Sequence, residues 1–244
     1  MFKANYKMAG KVIEINSMFE QVQNYCKDYL TDEKADFSVT TDMDDIKYER
    51  KKSESEDICE GRPIREFSDD YLEELAVYRQ ISDNMLKYDT LLFHGSVIAV
   101  DGEGFLFTAK SGTGKSTHTK LWREVFGDRA VMVNDDKPLL RITEEGVFAC
   151  GTPYNGKHHL GCNMTVPLKG LCILTRGEEN SITEINKQQA YPMLLQQAYR
   201  PADPLRMTKV LGIIDKLTEK VKLYKLACNM QKEAAEVAYK GMKG

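Results

Sequence analysis

The 244-residue sequence lacks an apolar run of bilayer length, a cysteine pair at Cys-x-x-Cys spacing, an internal repeat, a low-complexity tract and any excess of positive charge. Each absence removes a class of protein. A membrane helix needs about 18–20 apolar residues in succession, so no membrane partner is expected. The start, Met1 to Met8 followed by Lys11, Glu14 and Asn16, has no greasy core of the kind a signal peptide carries, and the expected location is cytoplasmic. The six cysteines, Cys26, Cys59, Cys150, Cys162, Cys172 and Cys228, are scattered as reduced thiols would be. Cys150, His158, His159 and Cys162 fall close together, but without paired cysteine spacing they read as buried thiols beside a polar loop rather than a zinc site. A net charge of −3 leaves no broad basic surface, so nucleic acid is not an expected partner either.

What is present is the composition of a soluble globular chain, 42% hydrophobic and 29% charged. Up to residue 66 the texture is that of a β-rich segment or small appended domain, or an extension of a main sheet. Lys11–Ile15 is strand-like. A helical stretch then places Phe19, Val22 and Tyr25 on one side, and Phe37–Thr40 alternates as a half-buried strand does. The stretch from Asp42 to Gly61 is charged, with few large apolar residues beyond Ile46, Tyr48 and Ile58, and reads as an exposed edge strand with loops or a mobile segment.

From residue 67 to 244 strands and helices interleave, which predicts an α/β domain with a mixed central sheet. A helix is expected from Asp70 to Leu86, and a strand from Leu91 to Val100 that carries one histidine, His94. The turn Asp101-Gly102-Glu103-Gly104 predicts a hairpin between that strand and the next, Gly104–Thr108. Further on, Leu168–Leu174 reads as a buried strand, Tyr191–Gln197 and Thr208–Leu217 as helices, Val221–Leu226 as extended and Gln231–Met242 as helical.

The most informative segment is Ala109-Lys110-Ser111-Gly112-Thr113-Gly114-Lys115-Ser116, which follows a strand and opens a helix that Gly127 would stop. That is the setting of a P-loop between strand and helix. Gly112 and Gly114 let backbone N–H groups turn toward phosphate oxygens, and the helix start adds partial positive charge. Lys115 would reach the β and γ phosphates, and Ser116 would place a hydroxyl on magnesium. Ser111, Gly112, Thr113, Gly114, Lys115, Ser116 and Thr117 are therefore the expected nucleotide-binding residues, with ATP and Mg2+ as cofactors. Alanine stands at 109, where a strict Walker A pattern has glycine.

Downstream, the apolar run Ala130–Val133 ends in Asn134-Asp135-Asp136. Carboxylates at such a strand end beside a P-loop hold magnesium or its waters, and a second one can accept a proton. Asp135 is the expected metal residue beside Ser116, and Asp136 the expected base.

Together, His94-Gly95, the hairpin, Ser111–Ser116 and the strand ending in Asp135-Asp136 resemble the HPr kinase/phosphorylase family in order and spacing, over about Leu91 to Pro138. That family belongs to a wider group that includes phosphoenolpyruvate carboxykinases. The resemblance implies an HPr kinase C-terminal domain-like, carboxykinase-like fold and ATP-dependent phosphoryl transfer to a hydroxyl, best a serine of a protein or peptide. It implies that His94 and Asp136 act on the acceptor's proton, with Lys115 as the third catalytic residue. The Glu-Ile-Arg-Gly stretch that family members carry beyond the acidic pair has no counterpart; Gly151 to His159 stands in its approximate place.

That polar loop contributes Lys157 and His158 as substrate or phosphate contacts, His159 being a further cation there, and Arg200, in the turn Tyr199 to Pro204, is a further charge stabiliser. The same residues also suit a turn with solvated cations and a helix cap. Two other functions stay open: a small-metabolite kinase, and an ATP-gated peptide-binding regulatory module with weak hydrolysis. The partner is thus a protein, peptide or small-molecule phosphoryl acceptor. A homo-oligomer is also left open.

Overall fold

The computed structural model describes residues 1–156 and 158–243. Contacts divide the chain into two units, Met1–Asn84 and Met85–Gly244.

In the first unit, β1 (Phe2–Met8) and β2 (Lys11–Ser17) form an antiparallel pair, and β3 (Phe37–Thr40) joins β2 in parallel. The short α1 (Gln21–Cys26) buries Val22 and Cys26. The charged stretch after Asp42 is neither an edge strand nor a loop but a 17-residue helix, α2 (Met43–Cys59). Asp42 and Asp45 start it with a reciprocal capping box. Its inward stripe, Ile46, Glu49, Ser53 and Asp57, has helical spacing but is mostly polar, which hides it from any reading based on apolar periodicity. Arg79 pairs with Glu49 and Asp45, and Arg62 and Arg65 pair with Asp57, so the buried carboxylates are satisfied. The guanidinium of Arg65 holds the Asp57 carboxyl down to about 2.

The helix expected at Asp70–Leu86 is α3 (Asp69–Met85). All but its last residue falls in the first unit, Met1–Asn84. The cause is polar anchoring. The buried Glu73 carboxylate accepts the N–H groups of Met18 and Phe19 and the Thr41 hydroxyl, and Gln80 bonds to Thr40.

The second unit is built on a nine-stranded mixed sheet. Its strands are β4 (Thr90–Leu92), β5 (Ser96–Val100), β6 (Glu103–Thr108), β7 (Ala130–Asn134), β8 (Leu139–Ile142), β9 (Val147–Cys150), β10 (Thr165–Arg176), β11 (Ser181–Ile185) and β12 (Lys222–Cys228). The main path runs β4-β8-β9-β10-β6-β5-β7, with β12 also on β10 and β11 on β12. The long β10 makes this branching possible: its first residues pair β9 antiparallel, and the rest runs parallel to β6 and β12.

Four helices pack on the sheet: α4 (Lys115–Phe126), α5 (Lys187–Gln197), α6 (Pro204–Lys220) and α7 (Glu233–Lys243). Alternate strand residues sort into two clusters, as period-2 geometry requires of a sheet covered on both faces. Val97, Ala99, Leu106, Leu171 and Leu223 pack with Leu194 of α5 and Ile213 and Leu217 of α6. Ile98, Phe105, Phe107, Cys172 and Leu226 pack with Trp122 of α4 and Ala235 and Ala238 of α7. Phe105 and Phe107 are fully buried, each contributing about 1.5–3 kcal/mol of transfer free energy. Trp122 packs against both with its ring tilted to theirs. Among the described residues, no helix is long and apolar enough to cross a membrane.

The expected strand Leu91–Val100 is two strands. Among the described residues β4 pairs only with β8, at one end of the sheet path, while β5 lies between β6 and β7 near the other. Phe93, His94 and Gly95 make the crossing. Gly95 permits it by close approach, because a Cβ there would meet Leu106 Cδ2 and the Phe107 carbonyl at 3.1 Å. The β5–β6 hairpin forms as expected.

Candidate functional site

One edge of the sheet gathers the polar residues. β6 and β10 are parallel, with Thr108 beside Ile173, and β10 and β12 are parallel, with Arg176 beside Cys228. β5 is antiparallel to both β6 and β7, with Ser96 beside Phe107 and Val97 beside Asn134. The carboxyl ends of β12, β10, β6 and β7 and the start of β5 therefore meet at the same edge. In α/β sheets this is where ligands bind.

The loop Lys110–Gly114 leaves β6 there and opens α4. Gly112 and Gly114 have φ of +74° and +115°, a region that side chains with a Cβ rarely adopt. Gly114 is the N-cap of α4, and no side chain among the described residues caps it. The N–H groups of the first turn are thus left to an external acceptor. Ser111 and Gly112 stand exposed at the crest, Thr113 and Lys115 are half-buried, and Ser116 and Thr117 are exposed in the first turn. Lys115 Nζ donates to the Ala109 carbonyl at 3.3 Å. Burial pushes the Lys115 ammonium below its usual value, and only the nearby Asp136 charge opposes this.

At the end of β7, Asn134 shapes the acidic turn. Its buried side-chain oxygen accepts the N–H groups of Asp136 at 2.9 Å and Lys137 at 2.6 Å, and its amide donates to the Thr152 carbonyl and hydroxyl. Thr152 in turn donates to the Lys137 carbonyl, and Ser96 to the Asp135 carbonyl. Asp135 accepts the Gly156 N–H at 2.7 Å. That bond ties the polar loop after β9 to the expected metal residue.

His94 is held by its backbone on three sides. Its N–H donates to the Gln197 carbonyl, its carbonyl accepts from the Thr108 hydroxyl, and the N–H of Gly95 donates to the Asp136 carbonyl. This leaves His94 Nε2 at 3.2 Å from Asp136 Oδ1. Burial disfavours the Asp136 charge, but the hydrogen bond from His94 and the charges of Lys137, His94 and Lys115 outweigh it. The carboxyl is held below its usual range. Asp136 is accordingly a carboxylate at neutral pH, within the field of Lys115.

The structure thus brings together His94, Asp136 and Lys115, three residues the sequence singled out. Among the described residues neither His158 nor Arg200 is joined to them by a hydrogen bond or ion pair. His158 is exposed in the loop tied to Asp135, and Lys157 lies outside the described residues. Arg200 is exposed three positions beyond Gln197, in the segment whose Tyr199 N–H donates to the Leu92 carbonyl. Sequence reasoning gave no role to Asn134, Thr152 or Arg176. Arg176 ends β10 and donates from Nη2 to the Gly112 carbonyl at 2.9 Å. A polar residue directly before an acidic pair is the one sequence signal that pointed at Asn134.

The donor set suits the groups the loop calls for. Mg2+ takes oxygen ligands, commonly one or two carboxylates with phosphate oxygens supplying much of the rest. Ser116 and Asp135 offer a hydroxyl and a carboxylate, and no cluster of three or more histidine, cysteine, aspartate or glutamate side chains occurs among the described residues. The uncapped N–H groups with Lys115 suit a phosphate chain.

A family model described as "SynChlorMet cassette protein ScmC" matches residues 58–237. No curated protein matches the chain. Among solved structures, the Hpr(Ser) kinase/phosphatase from Coxiella burnetii is similar at 14% identity and a TM-score of 0.34, covering 63% of this chain and 99% of that one.

Proposed function

The chain belongs to the ScmC family of SynChlorMet cassette proteins, and we propose that it transfers the γ-phosphoryl group of ATP to a hydroxyl acceptor, a serine of a protein or peptide, on an HPr kinase-like P-loop scaffold. The observation that carries this reading is the His94–Asp136 pair at 3.2 Å beside the half-buried Lys115, on the same sheet edge as the glycine loop. Loops of this kind bind phosphate in many proteins. A carboxylate kept ionised next to a loop lysine adds a base where an acceptor would attack.

In this reading the loop amides and Lys115 hold the phosphate chain, with Ser111 to Thr117 lining it. Mg2+, when bound by Ser116 and Asp135, offsets charge on the phosphate oxygens. Asp136 accepts the acceptor's hydroxyl proton as the new O–P bond forms and the bond to the departing ADP breaks. His94 orients the Asp136 carboxylate and lies near the transferred group. Lys157, His158 and Arg200 remain candidates for contacts with the acceptor.

Incubating the protein with γ-labelled ATP and Mg2+, with and without peptide and metabolite pools, tests the reading. Label on serine of a macromolecule supports it. Label on a small molecule makes the protein a metabolite kinase, and phosphate release without an acceptor makes it a hydrolytic binding module. ATP left intact under every condition would sink phosphoryl transfer altogether.

A further inference from the structure

A cavity of about 530 Å3 lies beside the glycine loop and extends away from the acid pair. Gly112, Thr117, His118, Arg176, Cys228 and Met230 line it. Its volume is within the range of small-molecule sites, roughly 300–1,000 Å3. Its position in the fold is what gives it meaning. The strand order at this edge is β12-β10-β6-β5-β7. The loop leaves the middle strand, β6; His94 and Asp136 stand at β5 and β7; Arg176, Cys228 and Met230 stand at the ends of β10 and β12. The cavity and the acid pair therefore flank the loop on opposite sides.

We infer that this cavity takes the nucleoside end of the triphosphate and holds the base by its faces rather than its edge, so that adenine and guanine nucleotides bind alike. The inference rests on the phosphate-loop reading above. A phosphate chain on the loop with its last group toward His94 and Asp136 sends its other end toward β10 and β12.

The manner of holding follows from how two of the lining side chains are committed and from the character of two others. Telling adenine from guanine needs a donor or acceptor matched to the exocyclic group, an amine in one and a carbonyl in the other. Asn229, beside Met230, has an amide suited to that task, but its Nδ2 donates to the Glu178 carbonyl and its Oδ1 accepts from Gln231 N and Asn180 Nδ2. Cys228 Sγ is turned to the Thr175 carbonyl. Two other lining residues are Arg176, whose planar guanidinium is steadied by the Gly112 carbonyl, and Met230, which is 80% exposed. A guanidinium plane and a flexible sulfur chain both favour the face of an aromatic ring.

Below the cavity His118 accepts from Trp122 Nε1 at 3.0 Å, and Trp122 is the chain's single tryptophan. Its emission is therefore a second readout of occupancy.

The test is calorimetric titration of the full chain with MgATP, MgGTP and magnesium tripolyphosphate, with Trp122 emission recorded alongside. Wild type, Lys115→Ala and Met230→Ala are compared; the last is an exposed site whose truncation does not threaten folding. ATP and GTP are expected within about threefold of each other and tripolyphosphate at least about tenfold weaker. Met230→Ala should weaken both nucleotides several-fold and leave tripolyphosphate unchanged. Tripolyphosphate bound as tightly as ATP, with both lost in Lys115→Ala, would overturn the nucleoside site while leaving the phosphate loop standing. A preference for one purine of more than about tenfold would overturn holding by the faces. No binding of any of the three to wild type would overturn the loop reading itself.

Discussion

His94 Nε2 and Asp136 Oδ1 lie 3.2 Å apart, although 42 positions separate the residues in the chain. Three hydrogen bonds to the backbone of His94 and Gly95 hold this segment, and none of them involves the imidazole. The pair is therefore a product of how β4 crosses to β5, and side-chain changes at either residue should leave the fold in place.

Asp136→Asn is expected to keep nucleotide affinity within a few-fold and to lower turnover by about 10²–10⁴. Single-turnover rates beside equilibrium binding check this. Unchanged turnover would remove Asp136 from the mechanism.

The pH dependence has a definite sign. Because the folded Asp136 carboxyl is held below its usual value, the stability its charge contributes is complete above the unfolded carboxyl range. It is lost as pH falls through the folded value. The acidic limb of kcat/KM that belongs to Asp136 should accordingly lie below about pH 4. An acidic limb at pH 5 that vanishes in Asp136→Asn would contradict this.

Lys115→Met should lower affinity for ATP and tripolyphosphate by about 100-fold or more, since the phosphate chain loses the half-buried charge of Lys115. Burial already weighs against that ammonium. The melting temperature is thus expected to stay level or rise, and a fall of more than a few degrees would mean that Lys115 is structural.

Asn134 joins Asp136, Lys137 and Thr152 from a fully buried position. Asn134→Ala strands those groups and should cost about 1–3 kcal/mol in urea unfolding. Turnover should fall more than nucleotide affinity, because the acidic turn moves while the loop after β6 does not. Equal losses in both would argue against a role in placing Asp136.

His118 is buried between Phe107 and Trp122, and burial pushes its imidazole down to about 4. The unfolded chain takes up the proton first, at about 6.5, so stability is full above that pH and declines as pH falls toward 4. The loss approaches about 3 kcal/mol for a shift of this size. Urea titrations at pH 7 and pH 4.5 measure it, and His118→Gln should flatten the difference. A wild type equally stable at both pH values would refute the prediction.

Much of the site was legible because it is local. Ser111 to Ser116 carries its own geometry: two glycines at positive φ, a helix start and a lysine, all within one turn of chain. Asp135-Asp136 was legible for a similar reason, as charge placed where a buried strand ends. α2 was not legible, because its buried stripe is Glu49, Ser53 and Asp57. Arg79, 30 positions on, makes Glu49 tolerable inside, and Arg62 and Arg65 do so for Asp57. Arg176 was hidden too, since nothing near it in sequence says that β10 ends beside the loop after β6.

By itself the sequence determined the α/β class of the second unit, the glycine loop and its helix, and the acidic strand end. These follow from periodicity, backbone freedom and capping within a few residues of each other. Tertiary structure alone decided that His94 sits on a crossing between two strands rather than within one, that it meets Asp136, and that Arg176 and Met230 flank the loop on its other side. Those relationships depend on which strands are neighbours. Strand order is set by packing two apolar faces against helices from distant parts of the chain, and no local pattern encodes it.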